Sequence, residues 1–235
     1  MHLAQQAYDL FGITLNDEQI TQFDLYLQEL ALWNAHTNLT AIIEPEAVQV
    51  RHFLDSLSIV KALPMVDGLR LIDVGTGAGF PGLPLAIAYP NIQMMLMEAT
   101  GKKIAFLDHI IQKLDLKNCR TLNARAEEAG HISHHRARYD GVLARAVARL
   151  PILLEYLLPL ARVGGKCIAM KGTTAEAEAA DSKKALQLLG GRLLRIESIQ
   201  LPDIAEPHYL VMVEKTDATP APYPRKPGIP TKKPL

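Results

Sequence analysis

A short apolar strand that runs directly into a glycine-rich turn and a helix is the feature that most constrains this chain. Residues 69–74 form an apolar run typical of a buried parallel strand. Gly75, Gly77 and Gly79 follow it, and a helix-forming segment begins at Leu83. Glycines let the backbone turn sharply and let a ligand approach the main chain, and the helix N-terminus offers unpaired N–H groups. This order predicts a strand–turn–helix unit that cradles a nucleotide.

The residues around the turn bear on which nucleotide it would take. The window from Gly77 to Gly82 also matches the dinucleotide fingerprint, a weak signal by itself. However, the negative charge of Asp73 precedes the first glycine, and Pro81 removes an N–H from the turn that a pyrophosphate would need. These details favour a ligand with a positive centre and no phosphate, such as S-adenosylmethionine. The alternatives are a dinucleotide-dependent dehydrogenase and a tight turn that binds no ligand.

Strands and helices alternate from residue 69 onward, which predicts an α/β fold with helices on both faces of a sheet. The link between the apolar runs 193–199 and 209–213 is too short for a crossover helix, so these two runs should pair antiparallel. The expected sheet is mostly parallel and seven-stranded. We expect three parts: an N-terminal helical extension packed on the core (1–64), a Rossmann-like domain (65–217) and a C-terminal segment (218–235).

Composition limits the class of protein. The chain has 235 residues, 49% of them hydrophobic, and a formal net charge of zero. It is long enough for one well-buried domain, and any contact with nucleic acid must come from local patches. Cys119 and Cys167 have no zinc or disulfide spacing, and the sequence shows no signal peptide or membrane-spanning stretch. We therefore expect a cytoplasmic monomer that does not associate with membranes.

The first sixty residues predict helices. Asn16 is a candidate cap for a helix with apolar residues at helical spacing, and Pro45 suits the start of another. On that second helix, Arg51 and Asp55 are four residues apart and could form an exposed ion pair, with His52 adjacent. The alternative interpretation is a polar ridge that overhangs the ligand.

Several candidate site residues follow predicted strands. Glu98 ends the second strand, roughly 20 residues after the first glycine, where α/β nucleotide sites place a ribose-binding acid. An acid that stabilises the start of the next helix is the alternative. Ala126 and Glu127 follow the third strand, in the turn expected beside the adenine. Arg145 and Lys171 end the fourth and fifth strands, at the edge where open α/β sheets bind ligands.

Two further features allow more than one interpretation. His131, His134 and His135 could share a metal ion, but no acid or cysteine completes the set, so we expect a solvated loop and no metal. The segment 218–235 holds six prolines and four basic residues. Such a segment should be extended, either as a loose terminus or as a basic arm that touches phosphates.

With these residues in hand, the chain resembles the bacterial RsmG family, also called GidB. The resemblance spans nearly the whole length and rests on motifs in a fixed order. These motifs are Trp33-Asn34, Asn38-Leu-Thr40, Arg51-His-Phe-Leu-Asp-Ser56, Asp73 to Gly82, Gly101-Lys-Lys103, Arg125-Ala-Glu127, Arg145-Ala146, Lys171-Gly172 and Tyr223 to Gly228. Two departures are small: Glu98 replaces an aspartate common in the family, and Ala144 replaces a serine.

The resemblance implies an S-adenosylmethionine-dependent class I methyltransferase that modifies guanine N7 in 16S ribosomal RNA of the small subunit. It implies that the cofactor contacts Gly75, Phe80, Ala126, Glu127 and Arg145, with Glu98 on the ribose. Guanine N7 carries a lone pair and no proton, so no general base is expected. Arg145, Lys171, Arg51 and His52 are the candidates for orienting the guanine and its phosphates. A small-molecule methyltransferase and a non-catalytic RNA-binding or assembly protein remain alternatives.

Overall fold

The structure is a computed structural model that describes residues 2–235, so the first residue of the predicted extension lies outside it. One seven-stranded sheet has the order β3-β2-β1-β4-β5-β7-β6. The strands are β1 Arg70–Val74, β2 Gln93–Glu98, β3 Cys119–Asn123, β4 Tyr139–Arg145, β5 Ala161–Lys171, β6 Gly191–Ile199 and β7 His208–Lys215. Strands β1 to β5 are parallel, and β7 pairs antiparallel with both β5 and β6. The prediction of a mostly parallel seven-stranded sheet with an antiparallel hairpin at its edge is confirmed.

Helices cover both faces of the sheet and form two apolar cores. The helices are α1 His2–Phe11, α2 Asp17–Thr37, α3 Pro45–Val48, α4 Asp55–Leu57, α5 Gly82–Ala88, α6 Gly101–Lys113, α7 Ala126–Ala129, α8 Leu150–Leu157, α9 Ala175–Asp181, α10 Lys183–Leu189 and α11 Ile229–Lys232. One core joins the N-terminal helices to α5 and α6. The other joins α8, α9 and α10 to the opposite face of the sheet, together with Tyr223 and Leu235. Both ends of the chain therefore pack against the central sheet.

Helix α2 begins at the residue that the sequence indicates. The Asn16 side chain accepts a hydrogen bond from the Gln19 backbone N–H at 2.9 Å, and the Gln19 side chain accepts one from the Asn16 N–H at 2.9 Å. This capping box satisfies two amide groups that a helix N-terminus otherwise leaves unpaired. Two turns after Gln19, the fully buried Tyr26 ring packs the helix against the glycine turn. Its hydroxyl donates to the Ala78 carbonyl at 2.5 Å.

The helical region that starts at Pro45 is irregular. Helix α3 continues into a π-helical turn over Gln49–Leu54, then into α4 and a final 3₁₀ turn over Ser58–Lys61. Single π turns inside helices are frequent at functional sites. Here the π turn places the His52 and Phe53 side chains in the interior, while Arg51 stays exposed.

The segment 218–235 differs from the extended chain predicted above. Residues Ile229–Lys232 form the short helix α11, in which Pro230 occupies the start of the helix, where a missing N–H costs no hydrogen bond. Arg136 donates to three carbonyls of the segment, those of Thr219, Pro220 and Tyr223, the last at 2.7 Å. It also donates to the Gly130 carbonyl, outside the segment. Proline density correctly excluded a long helix or central strand, but it carried no information on tertiary contacts. The segment is folded onto the domain.

The sequence predicts neither a membrane-spanning helix nor a metal site, and two observations on residues 2–235 bear on these expectations. No helix in this range has both the length and the apolar character needed to cross a bilayer. No group of three or more His, Cys, Asp or Glu side chains in the same range is arranged to share a metal ion. The histidines of the predicted loop contact other parts of the chain: His131 lies 2.7 Å from the Pro224 carbonyl in the C-terminal segment, and His135 lies 2.7 Å from the Tyr139 hydroxyl.

The Tyr26 hydroxyl should stabilise the fold measurably. Because the ring is fully buried, Tyr26→Phe removes a buried hydrogen bond and should lower the free energy of unfolding by about 1–2 kcal/mol in urea unfolding. Tyr8→Phe is the matched control, since the Tyr8 side chain is 59% exposed and its change should stay within about 0.5 kcal/mol. Equal stability of the two variants would show that this hydrogen bond does not hold α2 to the glycine turn.

Candidate active site

The glycine turn is shaped by packing on two sides and is open on the third. A Cβ atom at Gly79 would approach the Leu83 side chain to 2.3 Å, and one at Gly75 would approach the Val147 side chain to 2.8 Å. Both positions therefore require glycine, and both have positive φ. At Gly77, also with positive φ, an added Cβ would meet no protein atom within 4 Å. Space for a ligand thus opens beside Gly77, and the flanking glycines let the turn close tightly around it.

The Asp73 side chain stabilises this turn by hydrogen bonds to two of its residues. The side chain is fully buried, and one oxygen, Oδ2, accepts from the Thr76 hydroxyl at 2.5 Å and from the Gly82 N–H at 2.8 Å. Burial raises the pKa of this carboxyl to about 6, although both hydrogen bonds act to lower it. The other oxygen, Oδ1, is buried and has no partner among the described residues. The carboxylate therefore bridges both ends of the turn.

A cleft of about 240 Å³ lies next to the turn, and we name it the glycine-loop cleft. It is lined by Val74, Gly75, Met97, Glu98, Ala99, Ala124, Arg125, Ala126, Glu127, Val147, Tyr156, Gly228 and Thr231. Four of the predicted cofactor contacts, Gly75, Glu98, Ala126 and Glu127, are in this lining. The carboxyl ends of three neighbouring parallel strands bring them together.

Glu98 has the helix-start role that the sequence left open, and it also lines the glycine-loop cleft. Its Oε2 accepts from the Gly77 N–H at 3.2 Å, and its Oε1 accepts from the Thr100 N–H at 2.9 Å, just ahead of α6. The side chain thus stabilises the helix start and also faces the cleft. The Asn123 amide donates to the Glu98 carbonyl at 2.9 Å and fixes the end of the strand. The result is a positioned carboxylate at the mouth of the cleft.

A second cleft, of about 430 Å³, opens farther along the same edge of the sheet, and we name it the arginine cleft. It is lined by Ile42, Arg51, His52, Asp55, Arg145, Ala146, Met170, Lys171, Gly172, Thr174, Glu178, Ile204 and His208. All four predicted substrate-orienting residues, Arg51, His52, Arg145 and Lys171, line this cleft. Arg145, which the resemblance also implies as a cofactor contact, lies here and not in the lining of the glycine-loop cleft.

Asp55 is the centre of the arginine cleft, and its partners differ from the predicted one. Its carboxylate, 2% exposed, contacts Arg145 Nη1 at 3.0 Å through Oδ2 and His208 Nδ1 at 2.9 Å through Oδ1. The predicted pair of Arg51 with Asp55 is wrong, because β4 and β7 deliver two partners to a buried acid while Arg51 stays in solvent. Hydrogen bonding to Asp55 raises the pKa of His208, against the effect of partial burial. Asp55 therefore ties the N-terminal helices to both strands.

Arg145 lies between this acid and the glycine turn. Its guanidinium carbon is 5.0 Å from the centroid of the Phe80 ring, a cation–π distance. The Phe80 ring also stacks on His52, with centroids 4.5 Å apart, and on Tyr26, with centroids 5.5 Å apart. Phe80, predicted as a cofactor contact, thus connects the glycine turn to the arginine cleft.

Both ring nitrogens of His52 have polar neighbours. Nδ1 lies 3.0 Å from the Arg51 carbonyl and 3.1 Å from Arg145 Nη2. The carbonyl needs a hydrogen on Nδ1 and the guanidinium needs a bare Nδ1, so the two contacts correspond to different tautomers. Nε2 lies 2.8 Å from the Thr40 hydroxyl, which can donate or accept. Burial, together with the charge of Arg145, lowers the pKa of His52 to about 4. His52 is therefore neutral at physiological pH and lies beside Arg145 without adding charge.

Lys171 has an acidic partner that the sequence did not reveal. Its Nζ lies 2.9 Å from Glu178 Oε2 and donates to the Ala148 carbonyl at 2.5 Å. Burial opposes ionisation of Glu178, but hydrogen bonds from Lys171, Thr174 and the Leu150 N–H outweigh it and lower the pKa. Glu178 was missed because no pattern marks its helix. His208, also missed, could have been found, because an antiparallel β7 must begin beside the end of β5.

The low pKa of His52 predicts a specific pH dependence of stability. Its folded-state pKa of about 4 lies below the ordinary value of 6.5, so unfolding takes up a proton between these values and stability falls as the pH falls. Between about pH 7.5 and about pH 5 the wild type should lose roughly 2 kcal/mol through this group. His52→Gln, which replaces the imidazole by a polar side chain that does not titrate, should lose correspondingly less in urea unfolding at the two pH values. An identical loss in both proteins would contradict the assignment.

Comparison with known proteins identifies the family of this chain. A profile of the GidB family, described as rRNA small subunit methyltransferase G, matches residues 19–206. The ribosomal RNA small subunit methyltransferase G of Desulfitobacterium hafniense is 46% identical over 224 residues, covering 95% of this chain and 92% of the relative. The protein of the same name from Pelotomaculum thermopropionicum is 47% identical over 224 residues, with 95% and 94% coverage.

A solved structure shares the fold at much lower sequence identity. A SAM-dependent O-methyltransferase from Thermotoga maritima superposes with a TM-score of 0.57 at 18% identity, over 83% of this chain and 72% of that one. This similarity supports the class I, Rossmann-like architecture alone. The sequence relationships go further, because they combine high identity with nearly complete coverage of both chains. The chain therefore belongs to the GidB family, the rRNA small subunit methyltransferases G.

Proposed function

We propose that this protein transfers a methyl group from S-adenosylmethionine to N7 of a guanine in 16S ribosomal RNA of the small subunit. The observation that carries the proposal is the pair of adjacent clefts at the carboxyl edge of one sheet. One cleft offers a glycine turn and a positioned acid, and the other offers a wall of basic side chains. The family to which the chain belongs supports the substrate class. The guanine and its N7 atom come from the family resemblance. We propose a single chain acting in the cytoplasm.

The glycine-loop cleft fits S-adenosylmethionine by three of its features. The space beside Gly77 lets a ligand approach the backbone, and Glu98 presents a carboxylate suited to ribose hydroxyls. The unpartnered Asp73 Oδ1 beneath the turn leaves negative potential that suits a cationic ligand. In the proposal Gly75, Ala126 and Glu127 contact the cofactor directly, while Gly79 and Phe80 shape the turn. When bound, the cofactor supplies a sulfonium methyl group that the N7 lone pair can accept without loss of a proton.

The arginine cleft fits a neutral base better than a bare phosphate. Arg145 and Lys171 are each paired with a buried acid, Asp55 or Glu178, so their charges are largely compensated before a substrate arrives. Their remaining N–H groups can donate to acceptor atoms on the guanine edge, while the exposed Arg51 is free to meet a phosphate. N7 methylation makes the base cationic, and the nearby carboxylates would stabilise that charge. No residue has to remove a proton, so these side chains act by alignment and by exclusion of water.

Methyl transfer from labelled S-adenosylmethionine tests the proposal. Small ribosomal subunits and free 16S RNA that lack the modification serve as substrates, and nucleosides are identified by mass after digestion. We expect label in 7-methylguanosine. Label in another nucleoside would overturn the N7 assignment. If cofactor binds but neither RNA is labelled, a small-molecule methyltransferase or a non-catalytic RNA-binding protein becomes the better interpretation.

The Glu98 carboxylate should contribute to cofactor affinity. Glu98→Gln keeps the shape of the side chain but removes the charge that strengthens hydrogen bonds to hydroxyl groups. The dissociation constant for S-adenosylhomocysteine, measured by calorimetry, should rise roughly 10-fold or more. Glu176→Gln, an exposed acid on α9, is the control and should leave the constant unchanged. Unchanged affinity in Glu98→Gln, with an unchanged melting temperature, would leave Glu98 only its role at the start of α6.

A further inference from the structure

The segment 218–235 is fixed to the domain by a buried ion pair. Glu155 on α8 is fully buried, and both of its oxygens are satisfied by Arg225. The Arg225 backbone N–H donates to Oε1 at 2.7 Å, Nε donates to the same oxygen at 2.9 Å, and Nη2 donates to Oε2 at 2.6 Å. A bidentate arginine–carboxylate pair is among the most directional contacts in proteins. The chain beyond residue 225 therefore starts from a defined position.

From this anchor the segment reaches the glycine-loop cleft. The Gly228 N–H donates to Glu127 Oε1 at 3.3 Å, and the Thr231 hydroxyl lies 3.4 Å from the Tyr156 hydroxyl. Gly228 and Thr231 line the cleft together with Glu127 and Tyr156. Gly228 has a φ of +81°, a conformation that favours glycine, and this residue caps α11. The turn at Gly228 thus aims the Thr231 side of α11 at the cleft.

We propose that residues 225–231 form a wall of the nucleoside-binding end of the cofactor pocket. Thr231 would contact the bound nucleoside, while Gly228 and the Arg225–Glu155 pair would act as positioning residues, Gly228 through Glu127. The identity of the nucleoside as adenosine rests on the proposed function. The exposed Lys226, Lys232 and Lys233 point to the rival role, a basic arm that grips RNA phosphates. The contacts favour the cofactor role, because the residues that reach the cleft are uncharged.

Hydrogen exchange on the wild-type full-length chain tests the proposal without a mutation. Backbone amides of residues 226–233 should exchange more slowly when saturating S-adenosylhomocysteine is added, because the ligand contacts this wall. Unchanged exchange in these amides, with clear protection of the glycine turn, would overturn the inference and leave the proposed function intact. Absence of any binding by the wild type would overturn the proposed function, and this inference with it.

A matched pair of variants separates cofactor binding from RNA binding. Glu155→Met with Arg225→Met replaces both members of the buried pair by apolar side chains, so neither charge is left uncompensated. This double variant should raise the dissociation constant for S-adenosylhomocysteine at least tenfold. The control, Lys226→Ser with Lys232→Ser and Lys233→Ser, removes three charges, keeps the anchor and should change that constant less than twofold. Cofactor affinity within twofold of wild type in a folded double variant, with RNA affinity lost in the lysine control, would establish the RNA role instead.

Discussion

The buried carboxylate of Asp73 is the interaction on which both clefts depend. By accepting from Thr76 and from the Gly82 N–H, it closes the glycine turn and fixes the start of α5. The closed turn leaves open space beside Gly77, and it carries Phe80 to a position where the ring meets His52 and Arg145. One short segment therefore sets the spacing between the two clefts. Methyl transfer needs such a fixed spacing, because donor and acceptor must be aligned to within a fraction of an ångström.

Charge compensation explains why so polar a cleft is stable. Buried ions are costly unless paired, and the arginine cleft pairs Arg145 with Asp55 and Lys171 with Glu178. The imidazole of His52 lies against Arg145 and is neutral, so it adds no charge to the cleft. The side chains are thus held in place before a substrate enters, so little conformational entropy is lost on binding. Pre-organisation of this kind serves a reaction in which the protein aligns atoms and moves no proton.

The sequence predicts the sheet and much of the site for one physical reason. Residues at the carboxyl ends of neighbouring parallel strands must lie together, so Glu98, Arg145 and Lys171 could be placed without coordinates. The pairing of Asp55 with Arg145 and His208 could not be predicted, because these residues lie 90 and 153 positions away along the chain and only folding brings them to Asp55. Arg51 was suggested as the partner only because it lies four residues from Asp55 on the same predicted helix. Helical periodicity reports neighbours along one element and is silent on partners from other elements.

The two ends of the chain perform equivalent tasks for the two clefts. Residues at the carboxyl ends of the strands line both clefts, and one wall of each cleft comes from outside the alternating strands and helices. Residues 51–55 of the N-terminal helices close one side of the arginine cleft, and residues 228–231 close one side of the glycine-loop cleft. Each wall is anchored by a buried acid that meets an arginine, Asp55 with Arg145 and Glu155 with Arg225. A shared α/β core can therefore acquire a particular substrate through its terminal segments, because these segments change the clefts without disturbing the sheet.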